Sequence, residues 1–211
     1  MKQANGTETR EAILVAAERL FAEHGVAAVS NRQVSEAAGQ ANNFAVGYHF
    51  GTKNDLVLAI VRRHAPSIEQ RHAAKLAAIK NSPHLRDWLG CLVLPITDHL
   101  EALGSPSFYA RFLAQTTTDP TLRKIVIEET VASAPMRETI EGLGRLMPTL
   151  PKEVMEERDD MSRLLIVHIC AERERALQEG TITPRDTWDA AAMGLVDALT
   201  GLWLAPVTKL K

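Results

Sequence analysis

Apolar residues recur along this chain at intervals of three and four, which is the spacing of one face of an α-helix. Glycine and proline separate the periodic segments, and no alternating run bounded by hairpin turns indicates a strand. The pattern therefore predicts an all-α fold. Helices are expected at about residues 7–24, 30–39, 43–50, 53–64, 67–80, 85–103, 107–117, 122–146, 152–179 and 185–204.

Local signals mark where several of these helices begin. Ser30 and Gln33 have the spacing of a capping box, in which each of two side chains bonds to the backbone of the other residue. Thr52 is expected to cap the fourth helix. The short link from Gly180 to Pro184 predicts that the last two helices are antiparallel neighbours.

Proline is expected to divide the chain. Pro66 should stop the fourth helix, because proline lacks the N–H that an interior helical position uses, and Pro95 and Pro135 should kink or interrupt two later helices. Two domains are therefore predicted, residues 1–64 and residues 65–211.

Composition narrows the class of protein only slightly. The chain has 211 residues, of which 45% are hydrophobic and 24% charged, as in ordinary globular proteins. The most apolar stretch, residues 190–206, contains Asp197 and many small residues, so a buried helix is expected there and a membrane span is not. With a polar N-terminus and two cysteines outside any Cys-x-x-Cys pair, a cytoplasmic protein is indicated.

The net charge of the chain does not indicate nucleic-acid binding. The net charge is −2, and residues 1–64 hold 7 Lys and Arg against 6 Asp and Glu. Any prediction that the protein binds DNA must therefore rest on local pattern.

The segment from Val29 to Leu56 carries that local pattern. Two short predicted helices follow a packing helix, and the turn between them contains glycine, which describes a three-helix helix-turn-helix. Ala37, Ala38 and Gly39 are small enough for the two helices to approach closely. The third helix is therefore expected to expose one side to a DNA groove.

Hydrogen-bonding side chains are concentrated on and around this third helix. Asn42 and Asn43 suit adenine edges or phosphate oxygens, and Tyr48 and His49 suit phosphates or bases. The predicted DNA-binding residues are Ser30, Asn31, Arg32, Asn42, Asn43, Gly47, Tyr48, His49 and Lys53. Asn31 and Arg32 could equally form a solvated helix surface, whereas Phe44 and Phe50 are expected to pack against the protein.

The same residues resemble the tetracycline-repressor (TetR) family. The family signature has four parts: Thr/Ser-x-Arg-x-Ile/Val, then Ala-Gly, then an aromatic-His/Tyr-Phe triplet, then Lys. This chain matches them in order with Ser30-x-Arg32-x-Val34, Ala38-Gly39, Tyr48-His49-Phe50 and Lys53. The resemblance covers roughly the first 64 residues. It implies dimeric DNA binding, a phosphate contact by Lys53 and a helical effector domain.

Two departures from the family pattern fall in the turn and the third helix. The chain has one residue more than usual between Gly39 and Lys53, and Gly47 stands where the family often has its first aromatic. We interpret these changes as a longer turn that retains DNA binding.

Residues 1–64 are thus predicted to form a helix-turn-helix DNA-binding domain with the start of a connecting helix. Residues 65–211 are expected to form a helical effector-binding and dimerisation domain. Apolar rings with a few polar groups are typical of a ligand site, and the candidate effector-binding residues are Trp88, His99, Phe108, Tyr109, Phe112 and Met147. Aromatics at helical spacing are also common in a core, so both interpretations stay open. No metal site and no cofactor are indicated, because His168 and Cys170 point to different sides of a helix.

The last two helices are predicted to form a homodimer interface. One carries the apolar stripe Met161, Leu164, Leu165, His168 and Ile169. The other carries a 4-3 line of Trp188, Ala192, Leu195, Leu199 and Leu202 beside the small residues Ala190, Gly194, Ala198 and Gly201. A core within one chain could absorb these stripes instead.

The sequence thus predicts a ligand-responsive transcriptional repressor that binds a near-palindromic operator as a dimer and is released by a small-molecule effector. A helical enzyme is the first alternative, although no nucleophile and base pair, phosphate-cradling loop or His-Glu-x-x-His motif supports it. A ligand-binding or protein-interaction module whose helix-turn-helix no longer reads DNA is the second.

Overall fold

A computed structural model describes the backbone of residues 2–208 and the side chains of residues 6–208. None of these residues lies in a β-strand. The helices are, in chain order, α1 (Lys2–His24), α2 (Asn31–Ala37), α3 (Ala45–Phe50), α4 (Lys53–Ile79), α5 (Leu85–Leu103), α6 (Tyr109–Thr116), α7 (Pro120–Val131), α8 (Ala134–Leu146), α9 (Lys152–Glu179) and α10 (Trp188–Leu204).

These helices form two compact units. The first comprises the chain up to Pro66 together with Ser107–Thr130, and the second comprises Ser67–Pro106 together with the chain from Val131 onward. The first unit therefore contains α6 and most of α7 in addition to the segment in which the sequence predicts the helix-turn-helix domain.

The core of the first unit explains why α6 belongs to it. Phe112 of α6 stacks on Phe21 of α1 with 6.3 Å between ring centroids, and both rings are fully buried. Tyr109 stacks on His64 at 3.9 Å, and the Nε2 atom of His64 lies 2.8 Å from an Oε2 oxygen of Glu18. Burial raises the pKa of the Tyr109 hydroxyl, so Tyr109 stays neutral.

Helix α4 corrects the prediction that Pro66 stops the fourth helix. The helix continues through Pro66 to Ile79, although proline leaves the carbonyl of residue 62 without its usual helical partner. Ile60 and His64 are buried before the proline, and His72 and Leu76 are buried after it. Burial of these side chains outweighs a cost of about 3 kcal/mol for proline in a helix interior.

The second unit is organised around α5, which packs along α10. Pro95 lies inside α5 and is buried, and the helix continues past it. By contrast, the chain breaks between α7 and α8, where Ser133 caps α8 and Pro135 occupies its first turn, so the predicted interruption near Pro135 is confirmed. A Cβ atom at Gly142 of α8 would lie 2.1 Å from the Trp88 ring of α5, so only glycine fits there.

Two contacts confirm that α9 and α10 are antiparallel. Near the start of α9, the Nη1 group of Arg158 donates to the carbonyl oxygen of Trp203 at 2.9 Å. Near the end of α9, the guanidinium of Arg173 lies 5.1 Å from the ring centroid of Trp188, the first residue of α10. Within the described residues, no helix combines the length and the hydrophobicity that crossing a membrane requires.

Candidate nucleic-acid interface

The capping box predicted at the start of α2 is confirmed. The backbone N–H of Gln33 donates to Ser30 Oγ at 3.2 Å, and the backbone N–H of Ser30 donates to Gln33 Oε1 at 2.8 Å. The Ser30 hydroxyl also donates to Gln33 Oε1 at 2.8 Å. Ser30 therefore fixes the start of α2, and a contact with DNA would have to accommodate these bonds.

The turn between α2 and α3 is held by polar bonds at both ends. Gly39 adopts a φ of +67°, a left-handed conformation that favours glycine, and ends α2. The Ser35 hydroxyl donates to the carbonyl oxygen of Asn43 at 3.3 Å. The backbone N–H of Phe44 donates to Asn42 Oδ1 at 2.9 Å. Asn42 therefore positions the start of α3.

Helix α3 buries one side and exposes the other. Ala45 and Val46 are 6% and 0% exposed and pack inward, whereas Tyr48 is 84% exposed. The expectation that Phe44 packs against the protein is wrong, because its side chain is 81% exposed. Phe44 precedes Tyr48 by four residues, so the two rings share the side of the helix that faces solvent.

Gly47 lies on the same exposed side of α3. A Cβ atom added there would meet no described atom within 4 Å, so the packing of the protein does not require glycine. Glycine costs a helix roughly 1 kcal/mol relative to alanine. The absence of a side chain lets an external surface approach the backbone of α3 at this point.

The end of α3 lies beside a basic residue of α1. His49 is half-buried, and its ring meets the Tyr48 ring edge-on at 5.0 Å. Phe50 is half-buried, and the guanidinium of Arg10 lies 4.3 Å from its ring centroid. Sequence reasoning missed Arg10 as a positive charge next to α3, because no spacing relates residues 40 positions apart.

The predicted contacts on α2 differ in their surroundings. Arg32 is exposed, and its Nε group donates to Glu36 Oε1 at 2.7 Å. This hydrogen bond and the charge of Glu36 raise the pKa of Arg32. Exposed ion pairs contribute little stability, so a phosphate could replace Glu36 at small cost. The buried Oδ1 atom of Asn31 receives no hydrogen bond from any residue that the structure describes.

Lys53 is tied to the backbone of its own unit. Its ammonium donates to the carbonyl oxygens of Val26 at 3.0 Å and Val29 at 2.7 Å, so the first residue of α4 anchors the loop between α1 and α2. The predicted cap of α4 is confirmed, because the backbone N–H of Asp55 donates to Thr52 Oγ1 at 3.2 Å. Reciprocal bonds from Thr52 lower the pKa of Asp55. A phosphate contact by Lys53 stays a prediction, and it would compete with these carbonyl groups.

The six candidate effector-binding residues are divided between the two units. Phe108, Tyr109 and Phe112 lie in the first unit, where Tyr109 and Phe112 are core rings. Trp88, His99 and Met147 lie in the second. His99 is buried, with Nδ1 3.1 Å from the Ser67 hydroxyl.

Trp88 lies at the base of an open cavity of about 530 Å³ on the surface of the second unit, and most of the residues around it are exposed. Its other lining residues are Ala73, Leu76, Ala77, Lys80, Asn81, Ala134, Pro135 and Glu138. Lys80 and Asn81 adopt φ values of +43° and +61°, a backbone conformation that is costly for Lys and that often accompanies ligand sites. Sequence periodicity did not reveal this cavity, because its wall combines residues of α4, α5 and α8, which are far apart along the chain.

Comparisons with known proteins agree with this helix-turn-helix geometry. The model of a family described as bacterial regulatory proteins, tetR family, matches residues 13–60. The HTH-type transcriptional repressor AcnR of Corynebacterium efficiens is 30% identical over 152 residues, which cover 70% of this chain and 73% of that protein. AcnR of Corynebacterium diphtheriae is 28% identical over 151 residues, covering 69% and 72%.

The fold and the exposed third helix define a helix-turn-helix regulatory protein. The chain belongs to the tetR family of bacterial regulatory proteins. Both the predicted all-α fold and the family resemblance are therefore confirmed.

Proposed function

We propose that this protein is a ligand-responsive transcriptional repressor that binds a near-palindromic operator as a homodimer and is released by a small-molecule effector. The observation that carries the proposal is the exposed side of α3, where Tyr48 projects beside Gly47 on a helix fixed by buried residues. The relatives named as transcriptional repressors support the repressor role. DNA contacts by the nine predicted residues are part of this proposal.

Homodimerisation is supported by the apolar surface of α9. Met161, Leu164 and Ile169 are 41%, 40% and 46% exposed, and His168 beside them is also exposed. Such a continuous stripe on the surface of a single chain marks an interaction site. A two-fold pairing of this surface would bury the stripe against its own copy.

Helix α10 supports the same arrangement. Leu195 and Leu199 of its 4-3 line are buried in the second unit, so they belong to the core of the chain and are not available to a partner. The small residues Ala198 and Gly201 are exposed, and they would allow the backbone of a partner helix to approach closely. The pair α9 and α10 would thus form a four-helix bundle with the same pair of a second copy.

The cavity in the second unit supports an effector. Its volume lies in the range of small-molecule sites, and its wall is mostly apolar with Lys80, Asn81 and Glu138 as polar groups. A small, largely apolar molecule with a polar group would fit this lining. Ala73, Leu76 and Ala77 belong to α4, the same helix whose first residue anchors the α1–α2 loop. An effector that displaces α4 would therefore act on an element shared with the DNA-binding unit.

Binding to the DNA upstream of the protein's own gene tests the proposed function. In a fluorescence anisotropy titration at fixed salt, Tyr48→Ala should weaken binding by about tenfold or more, because each half-site loses a contact. Gly47→Ala should weaken binding too, since a methyl group would separate α3 from the groove. Both variants should have a thermal midpoint close to that of the wild type, because Tyr48 is 84% exposed and a Cβ atom at Gly47 would meet no described atom.

A duplex of scrambled sequence is the control, and both variants should bind it as weakly as the wild type. Failure of the wild-type protein to prefer its upstream DNA would refute repression of its own gene. Wild-type affinity in both variants would exclude α3 as the DNA-binding surface.

Ile169→Glu tests the dimer interface. A carboxylate in the middle of a desolvated helix pair is costly, so the dimer dissociation constant should rise at least about tenfold. Sedimentation velocity measures this constant directly. Ile182→Glu is the matched control, because Ile182 is 99% exposed in the link between α9 and α10. Equal dimer stability in the two variants would contradict the proposed interface.

Ala77→Trp tests the effector cavity. A compound that releases the wild-type protein from DNA should also raise its thermal midpoint, because it binds the folded state. Ala77→Trp would fill the cavity and should abolish both responses while DNA binding persists. Ala78→Trp is the control, since Ala78 is an exposed neighbour outside the lining. A wild-type response in Ala77→Trp would show that the effector binds elsewhere.

A further inference from the structure

Phe44 is a large apolar side chain that the fold leaves unused. It is 81% exposed, although burial of a phenylalanine side chain normally stabilises a folded protein. The two residues that follow it, Ala45 and Val46, are buried and fix α3 in place. The protein therefore holds an exposed ring on a rigid element.

The backbone that carries the ring is firmly positioned. Asn42 bonds to it twice, since its Oδ1 atom accepts from the N–H of Phe44 at 2.9 Å and its carbonyl oxygen accepts from the N–H of Ala45 at 3.0 Å. The hydroxyl of Ser35 holds the carbonyl oxygen of Asn43 at 3.3 Å. The direction from which Phe44 leaves the chain is thus set by α2 and by the turn.

The chemistry of the ring limits what it could contact in DNA. Phenylalanine has no hydrogen-bonding group, so it reads neither phosphates nor the donors and acceptors of base edges. The major groove presents one apolar group, the C5-methyl of thymine. Because Phe44 shares its side of α3 with Tyr48, it faces the same groove as the proposed base-reading surface.

The surroundings favour DNA over a protein partner. The neighbouring exposed residues Asn42 and Asn43 are polar, and the apolar area consists of little more than two rings. These amide groups border the rings, whereas protein interfaces use contiguous apolar patches. An isolated ring among amide groups suits a methyl group in a polar groove.

We propose that Phe44 contacts the C5-methyl group of a thymine in each operator half-site and so discriminates thymine from cytosine at that position. The proposal rests on the DNA binding proposed above. It adds a specificity determinant that lies outside the nine residues predicted from the sequence.

Replacement of operator thymines by deoxyuridine tests this contact. Deoxyuridine lacks only the C5-methyl group and retains base pairing, so each thymine of one half-site is replaced in turn and the dissociation constant is measured by anisotropy. For the wild-type protein, one replacement should weaken binding about fourfold, the effect expected for one apolar carbon. For Phe44→Ala, the same replacement should have no further effect, and Phe44→Leu should retain part of it.

The other thymines supply the internal control, because any effect of their replacement should be the same in the wild type and in Phe44→Ala. The exposed ring makes no packing contribution, so the thermal midpoint of both variants should equal that of the wild type. An unchanged deoxyuridine effect in Phe44→Ala, or no sensitive thymine in the wild type, would overturn the proposal while leaving DNA binding intact. Unchanged DNA affinity with altered self-association in Phe44→Ala would assign the ring to a protein contact and would also overturn it. Absence of operator binding by the wild type would instead refute the proposed function itself.

Discussion

The attachment of α3 to α2 is the constraint on which the functional surface depends. α3 has only six residues, too few to be stable alone, so its position comes from the burial of Ala45 and Val46 and from the bonds of Ser35 and Asn42 around the turn. Once those inward residues are fixed, helical geometry places Phe44, Gly47 and Tyr48 on the solvent side. The exposed surface is thus a consequence of what lies beneath it.

The nearly neutral charge of the DNA-binding segment makes the shape of the exposed α3 surface important. Residues 1–64 carry nearly balanced charges, so they gain little from sequence-independent attraction to phosphates. A preference for particular DNA must then come from complementary contacts, and two DNA-binding units in one dimer would double those contacts. A dimer formed through α9 and α10 would supply the second DNA-binding unit. The apolar residues on α9 and the exposed side of α3 would then act together in the proposed function, because a single α3 would contact only one half-site.

Sequence reasoning succeeded where the determining interactions are local. Ser30 bonds to Gln33 and Thr52 to Asp55, each pair three residues apart, so the starts of α2 and α4 were readable from spacing. It failed where distant packing decides. The helix α4 continues through Pro66 because apolar residues such as Ile60 and Leu76 are buried on either side of it, which overrides a local signal against helix. Phe44 was misjudged because hydrophobicity predicts burial, whereas the register of a short helix decides which side a residue takes.

The candidate effector residues illustrate the same limit. The spacing of Phe108 and Phe112 on one helix indicated a shared face but gave no information on its partner, and the ring of Phe112 packs on Phe21. Trp88 is a candidate effector-binding residue only because its side chain is an apolar ring with a polar group. It lines the cavity because α4 and α8 pack around it. The fold determines which distant residues pack together, and the hydrophobic periodicity of the sequence does not identify them.

Site-directed cleavage of the operator would locate α3 on DNA. Asn43→Cys places an exposed thiol beside α3, and the natural cysteines Cys91 and Cys170 are buried, so an iron–EDTA label attached to the new thiol would report where α3 lies on DNA. Binding of a dimer through α3 should give two clusters of cleavage within the operator, separated by roughly 10–10.5 base pairs or a multiple of that spacing. Absence of cleavage by this label, with the complex still formed, would contradict it.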